Sequence, residues 1–158
     1  MSLNDWILAF HLLAAFSLVA AEVAFSIMIV ALWRTDSTER VTSFMTISRV
    51  GTVLVTVGSL GTIVFGVWLA ISKDPYNVWD GWVIAAIVLW AATAAVGQQS
   101  GKLYGNVSME AERLAKAGTP TSPAVAATFG PSRAFWFHVA AFALVILILI
   151  DMIWKPGA

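Results

Sequence analysis

Residues Trp6–Trp33 read WILAFHLLAAFSLVAAEVAFSIMIVALW, twenty-eight residues with two ionisable side chains, His11 and Glu22. A helix needs ~20 apolar residues to cross a hydrocarbon layer of ~30 Å, so this run is a membrane span. An ionisable group inside a span is costly and faces a partner, a cofactor or water instead of lipid. His11 and Glu22 are eleven residues apart. At 3.6 residues per turn they fall within roughly 20° of the same direction, roughly 16 Å apart along the axis. The rest of the chain has to cover that stripe.

Three further runs are long enough to span: about 50–72, 82–99 and 134–154. Of the 158 residues, 59% are hydrophobic and 11% charged, and the mean hydropathy is +0.84. Soluble domains carry about a quarter charged residues, so this chain needs lipid as its partner. The expected fold is all-α: a polytopic membrane four-helix bundle, with residues 1–158 as a single membrane domain. A net charge of zero argues against nucleic acid. The absence of cysteine removes disulfides, thiolate nucleophiles and cysteine-type metal sites. The start MSLND has no Lys or Arg, and the apolar run behind it is far longer than a signal-peptide core, so it reads as a retained span.

Between the first two spans lies RTDSTERVTSFMTISR, polar and then amphipathic. Between the second and third, SKDPYNVWDG marks a short turn through Pro75, Asn77 and Gly81. The one sizeable extramembrane segment is 98–133. Within it SMEAERLAKAG reads as a short helix capped by Ser108 and ended by Gly118 and Pro120, followed by TPTSPAVAATFGPS as linker. The 34–49 and 98–133 loops hold Arg34, Arg40, Arg49, Lys102, Arg113, Lys116 and Arg133, against Lys73 and Lys155 on the other side. That asymmetry places both loops in the cytoplasm and both termini on the outer side.

The second span carries Gly51, Gly58, Gly61 and Gly66, a surface for close helix contact. Trp6, Trp68, Trp79, Trp82 and Trp154 gather at the expected outer boundary, and Trp33 and Trp136 at the inner one, as headgroup-level rings do. Trp90 lies mid-span, where its N–H wants an acceptor.

Four ionisable groups lie inside the expected hydrocarbon layer: His11, Glu22, His138 and Asp151. Comparison of depths allows two cross-helix pairs, His11 with Asp151 and Glu22 with His138, if the first and last spans are neighbours. Such pairs can fix packing, or they can relay protons. Four-helix membrane cytochromes hold b-type haem between histidines on facing helices. His11 and His138 are near opposite ends of the layer, roughly 20 Å apart by helix rise, and cannot share one iron. A haem here would take His11 with Met152, or with an open position. There is no HExxH, no histidine pair at i and i+4 and no GxSxG, so no catalytic residue and no metal site are assigned.

AFHLLAAFSLVAAE with its early histidine, the arginine region before the second span, GVWLA ending that span and the closing DMIWKPG carry a resemblance. The chain resembles a family of small bacterial four-helix integral membrane proteins known as a domain of unknown function. That family is similar in layout to copper-resistance membrane proteins and to the haem-linked protoporphyrinogen oxidase, which also place a histidine early in the first helix. The resemblance implies a multi-pass protein of the bacterial inner (cytoplasmic) membrane and a haem or metal role for His11. The expected function is a non-catalytic accessory or assembly subunit with buried His/carboxylate pairs. The alternatives are a haem-binding or proton-conducting redox protein centred on His11, and a small transporter acting as a homo-oligomer or within a larger membrane complex.

Overall fold

A computed structural model describes residues 2–35, 37–72, 76–119 and 123–156. The described residues form helices α1 (Leu3–Trp33), α2 (Thr38–Ser72), α3 (Gly81–Lys116), α4 (Pro123–Phe129) and α5 (Arg133–Trp154). Four helices are long and apolar enough to cross a membrane, as the all-α reading requires. Their large apolar side chains stay outward: Phe16, Ile27, Ile47 and Val57 are all exposed, the arrangement a lipid solvent favours.

Two helices outrun their expected spans. α2 begins at Thr38, so most of the stretch read as a loop is helix, and α3 continues to Lys116 without a break. Ser108, expected to cap a separate short helix, lies inside α3. Its neighbours explain this: Gly97, Gly101 and Gly105 cost about 1 kcal/mol each against alanine, yet no proline interrupts the run. The two helices have 35 and 36 residues, roughly 52–54 Å of length, and so project well beyond a ~30 Å layer. Part of the expected linker is helical, since Pro123–Phe129 forms α4, while its residues 120–122 lie outside the described residues.

α1 packs along α2, α3 packs along α5, and α2 joins the two pairs through α3. α1 and α5 approach each other over only a short stretch. Glycine sets the α1–α2 approach. A Cβ at Gly58 would lie 2.8 Å from the Ala14 carbonyl oxygen, and one at Gly61 would lie 2.9 Å from Ala14 Cβ. Without a hydrophobic effect between helices in lipid, this close backbone contact is what holds such a pair.

The two ends of the bundle are tied differently. At the end that carries both termini, Ser2 and Asp5 form a reciprocal capping box, and Asn4 Nδ2 donates to the Ser72 carbonyl at 3.1 Å. Lys155, in the left-handed conformation at φ 42°, closes α5. Its Nζ donates to Tyr76 Oη at 2.7 Å and lies 5.5 Å from the Trp82 ring centroid. At the other end α4 turns inward, and Phe129 and Val125 join Leu32, Val41 and Ala111 in a buried core. That cluster resembles the core of a soluble domain and plugs this end of the bundle.

Candidate functional site

Among the described residues a cavity lies toward each end of the bundle. The cavity at the termini end has a volume of about 320 Å³ and is lined by His11, Thr62, Gly66, Trp82, Trp90 and Met152 among other, mainly aliphatic, side chains. The cavity at the α4 end, about 290 Å³, is lined by Glu22, Arg49, Ser100, Tyr104 and His138 and by Gly97, Gly101 and Gly105. The stripe expected on the first span is thus divided between the two, with His11 in one and Glu22 in the other.

His11 is held by α2. Its Nδ1 lies 3.0 Å from the Thr62 carbonyl oxygen. A carbonyl can only accept, so Nδ1 carries the hydrogen and Nε2 is left as the ring's acceptor. The ring fits because residue 66 is glycine: a Cβ there would lie 2.9 Å from His11 Cε1. No hydrogen bond or ion pair joins His11 to Asp151 among the described residues. Asp151 is buried near the end of α5, and its Oδ2 has no hydrogen-bond partner. The main neighbour of α1 is α2 and not the last helix, which is why the histidine turns to a backbone carbonyl.

Glu22 and His138 come together. Glu22 Oε2 lies 3.7 Å from His138 Nδ1, and both side chains are only 10% exposed. The other ring nitrogen, Nε2, lies 2.8 Å from Ser26 Oγ. Ser26 Oγ donates its single hydrogen back to the Glu22 carbonyl at 2.9 Å, the usual i−4 bond of a helical serine. Towards His138 the hydroxyl therefore accepts, which assigns the hydrogen to Nε2 and leaves Nδ1 as a bare lone pair. Glu22 Oε2 has no hydrogen-bond partner. Two acceptors consequently face each other across 3.7 Å in a buried site.

The sequence reading reached Glu22 and His138 but missed the residues around them. Ser26 was legible, since it stands one turn from Glu22 on the same face. Gly97, Gly101 and Gly105 repeat at every fourth position, but the third span was ended at residue 99. Nothing lies within 4 Å of where their Cβ atoms would be, so this face borders open space and not a helix. Thr62 acts through its carbonyl, which carries no sequence signal. Trp82, expected at the headgroup level, is instead 7% exposed and packed with Ala70 and Val83. Trp90 finds its acceptors in Ser59, Oγ at 2.9 Å and the carbonyl at 3.1 Å.

Met152 lines the same cavity as His11, the two side chains expected to hold a haem. Small-molecule pockets run from about 300 to about 1,000 Å³. At about 320 Å³ the cavity takes a single-ring molecule. A tetrapyrrole with its propionates exceeds that volume.

An all-helical chain with four apolar, membrane-length helices is a multi-pass integral membrane protein. More particularly, residues 5–156 match the family described as predicted integral membrane protein (DUF2269), and the chain belongs to it. No curated protein and no solved structure matches the chain.

Proposed function

We propose that this protein binds and releases a proton at the Glu22–His138 pair, from the cavity at the α4 end. The supporting observation is the face-to-face arrangement of Glu22 Oε2 and His138 Nδ1 at 3.7 Å, with the second imidazole nitrogen already committed to Ser26. An ionised glutamate opposite a neutral imidazole leaves two lone pairs opposed and a buried charge without hydrogen bonds, which is costly. A single proton resolves both problems. Held on Glu22, it removes the buried charge and one of the two opposed lone pairs, and leaves the pair neutral. A buried ion pair in its place would need further hydrogen bonds to repay desolvation, and Oε2 has none.

The positions of Arg34, Arg40, Arg49, Lys102, Arg113, Lys116 and Arg133 at the α4 end favour the cytoplasmic side for that end. The proton then exchanges with the cytoplasm of a bacterial cell, and both termini lie outside. An accessory subunit whose pair only fixes register is the competing reading.

Infrared spectroscopy of the purified protein at neutral pH tests the proposal. A protonated-carboxyl band that Glu22→Gln removes and His11→Ala retains is the expected result. A spectrum in which Glu22→Gln changes no protonated-carboxyl band contradicts it.

A further inference from the structure

The cavity beneath Glu22 has more room than a proton needs. It holds about 290 Å³, close to the lower end of the range of about 300–1,000 Å³ found for small-molecule sites. One wall is the glycine face of α3, where Gly97, Gly101 and Gly105 meet nothing within 4 Å. Another wall is aromatic: Phe25 from α1, Tyr104 from α3 and Phe129 from α4 all line it. Tyr104 and Phe129 stack with centroids 5.5 Å apart, which fixes the ring planes. Glu22 stands among these with 7% of its surface exposed and an unpartnered oxygen. Tyr104 Oη is likewise buried without a hydrogen-bond partner.

A carboxylate in a cavity lined by aromatic side chains and an open glycine wall suits an organic cation. The carboxylate supplies the counter-charge, and an aromatic ring beside it attracts an ammonium through its quadrupole. An alkali ion would need a shell of oxygen ligands, and the aromatic wall does not provide one. The charged and titratable groups that face Glu22 are His138 from α5, Tyr104 from α3 and Arg49 from α2. Arg49 is exposed at the rim, and its charge acts on Glu112 of α3. The cation-facing depth of the cavity therefore belongs to Glu22.

We propose that the cavity between Glu22 and the Tyr104–Phe129 stack binds a small organic ammonium ion. The ion displaces the proton held by the Glu22–His138 pair, so that proton and cation exchange at one carboxylate. This rests on the proton-binding reading of the same pair. On binding, Glu22 loses its proton to solvent and retains a unit negative charge opposite the ammonium, while His138 stays neutral and bonded to Ser26. No covalent bond changes.

Calorimetric titration of the detergent-solubilised full chain with benzyltrimethylammonium chloride tests the proposal, in two buffers of different ionisation enthalpy so that released protons are counted. Saturable binding with about one proton released, and affinity falling about tenfold per pH unit on acidification, is the expected result. Glu22→Gln should abolish it, and His11→Ala should leave it intact. Gly101→Leu, which fills the cavity without touching the pair, should weaken it at least tenfold while the infrared carboxyl band of Glu22 remains. If the Glu22 band is present but benzyltrimethylammonium does not bind at any pH, the cation inference fails and the proton reading stands. If the cation binds without proton release and no Glu22 band exists, the exchange and the proton reading both fail and the bare cation site remains. Binding that survives Glu22→Gln, or that sodium chloride alone reproduces, overturns the cation site.

Discussion

Glu22 Oε2 stands 3.7 Å from His138 Nδ1, while the far nitrogen of the same imidazole is 2.8 Å from Ser26 Oγ. Ser26 belongs to α1, one turn beyond Glu22, so a single helix face presents both the carboxylate and the hydroxyl that orients its partner. His138 is gripped from both edges of the ring, and its tautomer is decided by a serine whose own hydrogen is committed elsewhere. This is also the short stretch where α1 and α5 come near each other.

Ser26→Ala removes the acceptor for His138 Nε2. The expected loss of stability is about 1 kcal/mol for the hydrogen bond, read as a lowered thermal midpoint in detergent. Because Ser26 and His138 share that bond, Ser26→Ala combined with His138→Ala should cost less than the sum of the two changes, by at least about 0.5 kcal/mol. Strict additivity would mean that the serine does not position the imidazole.

Glycines on α2 and α3 should behave oppositely. Gly58→Ala pushes a methyl group to 2.8 Å from the Ala14 carbonyl oxygen, and overpacking of this kind costs about 1–3 kcal/mol. Gly101→Ala meets nothing within 4 Å and should stabilise by up to about 1 kcal/mol through helix propensity. Thermal unfolding of the two variants beside the parent chain checks both signs. A Gly58→Ala protein as stable as the parent would show that α1 and α2 are not in backbone contact there.

Phe129 anchors α4 beneath the bundle. It is 1% exposed and stacked on Tyr104. Phe129→Ala should cost about 3–5 kcal/mol, as for buried aromatic residues in general, and should make α4 the first site cut by limited proteolysis. Cleavage elsewhere first, with α4 protected, would contradict its role as the plug of this end.

α3 should be one helix through Ser108. Spin labels placed singly along residues 98–116 should show accessibility with a period of 3.6 residues across that position. A phase break at Ser108 would restore the two-helix reading of this segment.

The fold was legible because its four spans are long apolar runs, and apolarity over ~20 residues admits few alternatives in lipid. The extents of α2 and α3 were not legible. Past the hydrocarbon boundary a polar helix and a polar loop look alike, and glycines at 97, 101 and 105 weaken the helical signal by propensity although they form one face. Glu22 and His138 could be matched by depth along helices whose ends were known. His11 could not: its partner is the Thr62 carbonyl, available on any residue type, and depth alone cannot tell α2 from α5 as a neighbour. The expectation that α5 covers the whole α1 stripe therefore gave way to α2 over most of its length, with α5 at Glu22.

The chain has two histidines, and the structure assigns them opposite tautomers: hydrogen on Nδ1 in His11, against Thr62, and on Nε2 in His138, against Ser26. Nitrogen NMR of protein labelled at histidine reads this directly. The expected spectrum at neutral pH has one neutral imidazole of each tautomer, with His138 Nδ1 unprotonated and its signal shifted in Glu22→Gln. An imidazolium signal for His138 at neutral pH, or a hydrogen on its Nδ1, would contradict the neutral pair and with it the proton-binding site.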